Sequence, residues 1–313
     1  MATTTPSKVP DFALSSVRRV SLDEMDHLSI GKKTRLHRLL YGHGPGNGTM
    51  LLLPIDQGLE HGPVDFFENP AAQDPEFQCQ LALEGGYSGI VFHFGLAEKY
   101  MKKYAGKVPL IVKLNGKTNV PSDADAFSPL TGSVEDAVRL GADAVGYTLY
   151  VGSPAQDIDI AQFMEVRREA DRYGLPTIIW AYPRGSAIKE KGGQESLYAI
   201  DYAARVACEV GADVVKINFP KLNTPASATS PKPYDTLDIG FDDACRKLVR
   251  SAGKTMVLFS GGSKVSDDDV VKMAGQAINN GATGLIFGRN MWQRPMDNAL
   301  DISRRVSDMM RKA

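Results

Sequence analysis

Lys216 has the most unusual chemical setting in this sequence, because it lies in the apolar run Val214-Val215-Lys216-Ile217. Moving an ammonium group out of water is costly unless the group is paired or loses its proton. To be neutral near pH 7, such a lysine needs a pKa lowered by roughly 3 units, or about 4 kcal/mol. A lysine at a strand end more often reaches water or pairs with an acid, but proteins accept this cost where a lysine is a nucleophile. We therefore treat Lys216 as a candidate nucleophile.

A second lysine has nearly the same setting. The segment Val112-Lys113-Leu114-Asn115 closely matches Val215-Lys216-Ile217-Asn218. The sequence alone does not decide which of the two lysines is the nucleophile. Because a nearby cation lowers the pKa of a lysine, both can face one site in different roles.

Further polar and aromatic residues follow other apolar runs. Asp56, Glu60 and His61 form a dense polar cluster, for which the alternative is an ordinary turn capped by an aspartate. Trp180 and Tyr182 are two residues apart, so on a strand they share a face. A phenol there can act as a general acid or base if it reaches the substrate, and the alternative is that both aromatic side chains only fill the core.

Two glycine-containing segments near the C-terminus indicate an anion site. They are Ser260-Gly261-Gly262 and Gly288-Arg289, each directly after an apolar run. Glycines let backbone N–H groups converge on a phosphate, and serine and arginine add donors. We favour an anion site over the alternative that both segments are plain glycine turns.

Eight apolar runs alternate with eight helical patterns and indicate a parallel sheet covered by helices. Eight strands close a (β/α)8 TIM barrel, in which catalytic groups sit at the C-terminal ends of the strands. The pattern alone leaves a doubly wound open sheet as an alternative. The predicted strands are Met50–Ile55, Gly89–Phe92, Leu110–Val112, Ala144–Leu149, Thr177–Ala181, Val214–Ile217, Thr255–Phe259 and Gly284–Phe287. The predicted helices are 75–84, 96–104, 133–140, 154–173, 195–210, 239–251, 267–280 and 295–311.

The segments before the even-numbered strands repeat one another and support closure of the barrel, because alternate strands fill the same interior layers. Each begins with a glycine that can end a helix in the left-handed conformation. These segments are Gly85-Gly86-Tyr87-Ser88, Gly141-Ala142-Asp143, Gly211-Ala212-Asp213 and Gly281-Ala282-Thr283.

The first 49 residues are predicted to be a tail and a helical extension, and residues 50–313 the catalytic barrel domain. Residues 1 to about 20 have the composition of a flexible tail. Ser21 to Leu40 is predicted to be one helix, with Ser21 and Glu24 at capping-box spacing. The glycine-rich stretch from Gly42 to Gly48 is predicted to be a connector.

The composition argues against several classes of protein. The chain has 313 residues and a net charge of −1, with no long run of one sign, so neither a nucleic-acid nor a membrane partner is expected. No apolar segment approaches the ~20 residues that a membrane span needs, and the N-terminus lacks a secretory pattern. Three widely separated cysteines fit reduced thiols in a cytoplasmic protein. The spacing of the histidines and cysteines predicts no metal site, and no cofactor is expected.

As a set, these segments resemble the class I, Schiff-base fructose-1,6-bisphosphate aldolases of archaeal and bacterial type, which are related to deoxyribose-phosphate aldolase. The similarity runs from about Leu51 to Arg289. The segments that carry it are Asp56-Gln57-Gly58-Leu59-Glu60-His61, Val112-Lys113-Leu114-Asn115-Gly116-Lys117-Thr118, Trp180-Ala181-Tyr182, Val215-Lys216, Ser260-Gly261-Gly262 and Gly288-Arg289.

The resemblance implies a role for each matching residue. Lys216 is the Schiff-base lysine, Tyr182 the proton-transferring tyrosine and Trp180 the tryptophan beside it. Asp56 contacts substrate hydroxyls and assists imine formation, and His61 lies near the distal phosphate. The residues that hold the phosphate on the ketone half are Ser260, Gly261, Gly262, Gly288 and Arg289. Lys113 is a further site residue, without a defined role.

The implied activity is a metal-independent cleavage of fructose 1,6-bisphosphate by a large homo-oligomer. Related aldolase, transaldolase-like or thiolase-like enzymes acting on another phosphorylated ketose are the nearest alternatives. A non-catalytic phosphosugar-binding barrel is a further alternative. Sugar isomerase and decarboxylase barrels come third, because they usually rely on acids or histidines as bases.

Overall fold

A closed barrel of eight parallel strands forms the centre of the molecule in the computed structural model, which describes residues 17–262 and 264–313. The strands pair in chain order, and β8 pairs with β1 through Met50 and Gly284. The strands are β1 Met50–Ile55, β2 Gly89–His93, β3 Leu110–Lys113, β4 Ala144–Val151, β5 Thr177–Pro183, β6 Val214–Asn218, β7 Met256–Ser260 and β8 Gly284–Ile286. Closure confirms the predicted TIM barrel and excludes the open sheet.

Helices surround the barrel and bury their apolar faces against the strands. They are α1 Ile30–His37, α2 Gln57–Glu60, α3 Pro75–Glu84, α4 Phe94–Tyr100, α5 Val134–Arg139, α6 Gln156–Tyr173, α7 Ser186–Glu190, α8 Leu197–Glu209, α9 Phe241–Ser251, α10 Asp267–Asn279, α11 Arg289–Trp292 and α12 Met296–Lys312. Short 3₁₀ turns span Leu22–Glu24, Pro63–Phe66, Pro70–Gln73, Met101–Tyr104 and Pro225–Thr229, and one π turn spans Arg38–Gly42. No helix in the described part of the chain is long and apolar enough to cross a membrane.

The predicted helix over residues 21–40 is only partly correct. Ser21 and Glu24 do form the capping box, but it caps a single 3₁₀ turn. The chain then turns, and a separate helix, α1, begins after its own N-cap, Ser29. The break has a physical reason: it lets Met25 and Leu28 bury their side chains in the apolar cluster at the lower end of the barrel. The predicted flexible tail lies mostly outside the described residues.

The N-terminal ends of the strands are closed by residues 22–40. The apolar side chains of this segment continue the column of side chains inside the barrel, from Leu22, Met25, Leu28, Leu36, Leu39 and Leu40 to Met50, Leu52, Val91, Ile111, Ile178, Val214, Met256 and Ile286. The opposite end of the barrel, where the strands finish, opens on a cavity.

The repeated segments before the even strands have two functions in the fold. Gly141, Gly211 and Gly281 have the predicted positive φ, whereas in the first repeat Gly86 and not Gly85 takes it. The aspartates two residues after Gly141 and Gly211 bind cations from the N-terminal segment. Lys32 Nζ lies 2.8 Å from Asp213 Oδ2, and Arg38 Nε donates to Asp143 Oδ1 over 2.6 Å.

Candidate active site

A cavity of about 330 Å³ opens at the C-terminal ends of the strands. It is lined by ten of the eleven residues that the sequence analysis assigns to the site: Asp56, His61, Trp180, Tyr182, Lys216, Ser260, Gly261, Gly262, Gly288 and Arg289. The eleventh, Lys113, lies beneath the lining. Residues scattered over the whole chain are brought together because parallel strands present their C-terminal ends at one face of a barrel.

Lys216 reaches this cavity from β6 while remaining almost completely buried, with 7% of its surface exposed. Its Nζ donates a hydrogen bond to Tyr182 Oη and lies 4.3 Å from the centroid of the Tyr182 ring. Within the described residues, no carboxylate lies within 4 Å of this amine. Burial, assisted by the nearby charge of Lys113, lowers the pKa of Lys216 to about 7, although Asp56 and Glu60 oppose the shift. A substantial fraction of this amine is therefore neutral at physiological pH.

Lys113 has the opposite environment, although its sequence setting is almost identical. It is fully buried at the end of β3, and its Nζ donates to Asp56 Oδ2 over 2.8 Å and also to Glu60 Oε1. Burial would lower the pKa of Lys113, but Asp56 and Glu60 outweigh burial and raise it. Of the two lysines, only Lys216 has the exposure to the cavity and the lowered pKa that a nucleophile needs.

The pKa values of the two carboxylates bound to Lys113 are shifted in opposite directions. Burial would raise the pKa of Asp56, but the charges of Lys113 and Lys216 outweigh it and hold the pKa well below its usual range. The pKa of Glu60 is raised, first by burial and then by the charge of Asp56. Two acids whose pKa values are pushed apart are suited to different tasks: the shifts favour the ionised form of Asp56 and the protonated form of Glu60.

The aromatic pair from β5 contacts both lysines. Trp180 is the neighbour of Lys216 in the β5–β6 pairing, and Lys113 Nζ lies 5.2 Å from its ring centroid. A Cβ atom on Gly146 would lie 2.8 Å from Trp180 Cζ3, so only glycine at position 146 leaves room for this ring. Burial and the nearby carboxylates raise the pKa of Tyr182 well above its ordinary value, which keeps its hydroxyl protonated and able to hydrogen-bond.

One side of the cavity is formed by the segments after β7 and β8. Ser260 Oγ donates to Asn218 Oδ1 over 2.5 Å, and Gly262 has a φ of 63°, which favours glycine. Arg289 begins α11, and its Nη1 lies 3.9 Å from Asp65 Oδ2. Backbone N–H groups of the glycines, the serine hydroxyl and the guanidinium together suit a phosphate.

Asp65 also orients His61, which connects this side of the cavity to the segment after β3, because Asn119 Nδ2 donates to the His61 backbone carbonyl over 3.2 Å. His61 Nδ1 lies 2.8 Å from Asp65 Oδ2, which orients the imidazole ring. The same carboxylate therefore contacts both His61 and Arg289, although the two residues come from opposite ends of the chain.

The opposite wall contains residues that the sequence analysis did not assign. Lys117, from the segment after β3, and Arg184, directly after β5, each bind the carboxylate of Asp123, at 2.7 and 2.9 Å. Arg184 could have been predicted from the sequence, because it is two residues after Tyr182 and would share the face of the strand that carries Trp180 and Tyr182. No sequence pattern predicts a place for Asp123 in the site, because it lies in a connection without regular structure.

The long segment from Pro220 to Asp238 does not line the cavity. It packs instead on the outside of the barrel, where Lys221 pairs with Glu195 and Tyr234 Oη donates to Asp201 Oδ2 over 2.5 Å. No group of three or more His, Cys, Asp or Glu side chains within residues 17–262 and 264–313 is placed so as to hold a metal ion.

Comparison with known proteins gives a consistent result. Residues 50–294 match the model of the DeoC/LacD family of aldolases. A protein of Thermoproteus tenax named fructose-bisphosphate aldolase class 1 is 39% identical over 264 residues, which are 84% of this chain and 90% of that protein.

Solved structures agree with the sequence relatives. An archaeal fructose-1,6-bisphosphate aldolase, with its catalytic lysine covalently bound to the carbinolamine intermediate, superposes with a TM-score of 0.75 at 36% identity. The match covers 88% of this chain and 99% of that one. The fructose-bisphosphate aldolase of Slackia heliotrinireducens gives a TM-score of 0.79 at 28% identity, covering 93% of this chain and 91% of that one.

Proposed function

Since the chain belongs to the DeoC/LacD family of aldolases, we propose that it is a class I fructose-1,6-bisphosphate aldolase. The reaction is the reversible cleavage of fructose 1,6-bisphosphate to dihydroxyacetone phosphate and glyceraldehyde 3-phosphate through a Schiff base on Lys216. The observation that carries this proposal is the buried Lys216 amine, which opens on the cavity, has a pKa lowered to about 7 and has a tyrosine hydroxyl as its hydrogen-bond partner.

The two ends of the cavity suit the two phosphates of this substrate. Ser260, Gly261, Gly262, Gly288 and Arg289 line one side and bind the phosphate on the ketone half. The opposite wall contains two further cations, Lys117 and Arg184, which face the phosphate on the aldehyde half, and His61 lies near that phosphate.

Covalent chemistry begins when the neutral amine of Lys216 attacks the C2 ketone. The resulting carbinolamine loses water to give a protonated imine, which accepts the electron pair of the breaking bond. Tyr182 relays the proton of the C4 hydroxyl as the C3–C4 bond breaks: its oxygen accepts that proton while its own phenolic proton passes to solvent in the cavity. Trp180 lies beside it on the same face of β5. Protonation of the enamine and hydrolysis then release dihydroxyacetone phosphate.

The two carboxylates divide the remaining polar tasks. Asp56 stays ionised, contacts the substrate hydroxyls and favours the cationic imine. Glu60, which lines the cavity and has a raised pKa, donates the proton that lets the carbinolamine hydroxyl leave as water. Lys113 acts from below by fixing the positions of both acids.

Borohydride trapping tests the proposal directly. Incubation with fructose 1,6-bisphosphate and borohydride is expected to add the reduced substrate mass to the peptide that contains Lys216, whether or not EDTA is present. Tyr182→Phe is expected to keep the trapped adduct but lose about 10²-fold in cleavage, because it forms the imine without its proton acceptor.

Three outcomes would contradict the assignment. They are an adduct that maps to Lys113, trapping of Lys216→Met as efficient as that of wild type, or activity that disappears with EDTA. A coupled assay with fructose 1,6-bisphosphate as the sole substrate separates this activity from that of a relative acting on another ketose. A ligand-induced shift in melting temperature without turnover would indicate a binding protein.

We extend the proposal to the setting of the enzyme. Residues 50–313 form the catalytic domain, residues 1–49 form a tail and helical extension, and the enzyme works in the cytoplasm on glycolytic or gluconeogenic sugar phosphates. Its assembly is a large homo-oligomer. The resemblance to class I aldolases supports these statements, and light scattering of the purified protein measures the assembly.

A further inference from the structure

The wall of the cavity across the barrel from Ser260 already contains an anion. The carboxylate of Asp123 binds Lys117 Nζ at 2.7 Å through one oxygen and Arg184 Nε at 2.9 Å through the other. All three residues line the cavity. A carboxylate held by two cations is arranged as one face of a phosphate would be.

The two cations are fixed more firmly than the acid. The Lys117 and Arg184 side chains are 15% and 19% exposed, whereas that of Asp123 is 48% exposed. Arg184 Nη1 also donates to the Pro183 carbonyl over 2.8 Å, and its guanidinium lies 5.1 Å from the Tyr182 ring centroid. Its position is therefore set by β5 and by the aromatic side chains.

Asp123 lies in an irregular connection. Between Gly116 and Pro129 no residue belongs to a helix or strand. Moving Asp123 away from the wall therefore breaks no regular structure. The charges of Lys117 and Arg184 outweigh the effect of burial and hold the pKa of Asp123 below its usual range, so the acid is ionised throughout the neutral pH range.

We propose that Asp123 controls access to the subsite of the phosphate remote from the ketone: its carboxylate occupies this subsite and must leave it when a bisphosphate binds. The inference rests on the proposed function. An isolated anion has to displace the carboxylate unaided. A sugar already held at its ketone end presents its second phosphate at high effective concentration, and so displaces Asp123 more readily. Asp123 thereby weakens the binding of every anion at this subsite, and a sugar held at its ketone end still enters where free phosphate does not.

The test compares Asp123→Asn with Asp125→Asn. Asp125 is a matched control, because it lies two residues further along the same connection, is exposed and makes no described ion pair. Cleavage of fructose 1,6-bisphosphate and of fructose 1-phosphate is measured for each variant. For Asp123→Asn, KM for the bisphosphate is expected to fall by about three- to tenfold, the scale of a partly exposed ion pair. The kcat/KM for fructose 1-phosphate stays within about twofold of wild type, and Asp125→Asn matches wild type on both substrates.

A binding measurement without turnover completes the design. Inorganic phosphate is expected to raise the melting temperature of Asp123→Asn more than that of wild type. Adding Lys117→Gln in the Asp123→Asn background is expected to remove this gain, which assigns it to this wall. If the wild type fails to cleave the bisphosphate, the proposed function is overturned. The phosphate-binding measurement would still support the inference about Asp123 in that case.

Two results would overturn the inference and leave the proposed function intact. If KM for the bisphosphate is unchanged or higher in Asp123→Asn, Asp123 does not compete for the subsite and at most holds the cations in place. If both substrates change by the same factor, the effect does not arise at the remote phosphate.

Discussion

The two ends of the barrel each bury a lysine, and the partners of the two lysines determine what each lysine does. At the closed end, Lys32 is 5% exposed and its Nζ lies 2.8 Å from Asp213 and 2.7 Å from Asp171. At the open end, Lys216 is 7% exposed, and its hydrogen-bond partner is the neutral hydroxyl of Tyr182. Asp213 directly precedes β6 and Lys216 lies three residues further along the chain, so a few residues separate the partner of the structural lysine from the lysine proposed as the nucleophile.

This difference shows that burial alone does not make a lysine reactive. Carboxylates in direct contact stabilise a buried ammonium group, and Lys32 has two such partners, whereas Lys216 has none among the described residues. Lys113 makes the same point at the open end, because it is more deeply buried than Lys216 and has a raised pKa. The absence of a direct carboxylate partner, and not the depth of burial, is what distinguishes Lys216 within the described residues.

The strongest test of the comparison is to remove each amine in turn and measure cleavage. Lys216→Met is expected to lower kcat/KM by about 10³-fold or more, because the covalent route is lost. Lys32→Met is expected to stay within about twofold of wild type where it is folded, because its amine lies at the closed end. Steady-state kinetics below the melting temperature of both variants measure this, and comparable losses would show that the two ends are not separate in function.

The second test is the stability of Lys32→Met. This substitution leaves Asp213 without its cation, although Thr177 still donates to it from its backbone N–H and hydroxyl. The free energy of unfolding is expected to fall by roughly 3 kcal/mol, the cost of breaking a buried ion pair. Urea denaturation measures it, and Lys33→Met, at a more exposed neighbouring lysine, is the matched control. A loss no larger than that of the control would show that the ion pair does not stabilise the closed end.

The smallest expected effect has the opposite sign. Lys216→Met is expected to raise the free energy of unfolding near pH 7 by about 1–2 kcal/mol, because a strained catalytic group is replaced by an apolar one. The folded pKa of Lys216 is about 7 and the ordinary value is 10.5, so the unfolded chain binds more protons between these values. The free energy of unfolding of wild type therefore rises with pH between these two pKa values. The difference in this free energy between Lys216→Met and wild type becomes smaller over the same range.

Urea denaturation of wild type and Lys216→Met at a series of pH values from 6 to 10 measures this effect. A difference that is constant across the series would show that Lys216 keeps its ordinary pKa in the folded protein.

Much of the fold follows from the sequence because the barrel strands are apolar throughout. The predicted strand starts differ from the observed ones by one residue at most, as for β7, which begins at Met256 instead of Thr255. The N-terminal helix was harder to predict, because local preference allows one helix from Ser21 to Leu40. The burial of Met25 and Leu28 under the barrel breaks it, and only the tertiary structure supplies that contact.

The candidate site, like the fold, has parts that could be predicted from the sequence and parts that could not. Residues at strand ends, such as Asp56 and Lys216, could be predicted, because the fold itself brings strand ends together. The different environments of Lys113 and Lys216 could not, because the carboxylates that bind Lys113 lie more than fifty residues away in the chain. Asp123 could not be predicted either, since its place at the wall depends on the path of an irregular connection.

The closed end of the barrel also limits how far the polypeptide can be shortened. A recombinant fragment beginning at Met50 would expose the closed end of the barrel to solvent. It would also leave Asp143 without its partner Arg38 and Asp213 without its partner Lys32. Such a fragment is expected to be insoluble, even though it would retain every side chain proposed to act in catalysis. The minimal active unit for expression or domain grafting is therefore expected to include residues 22–40, which close this end of the barrel.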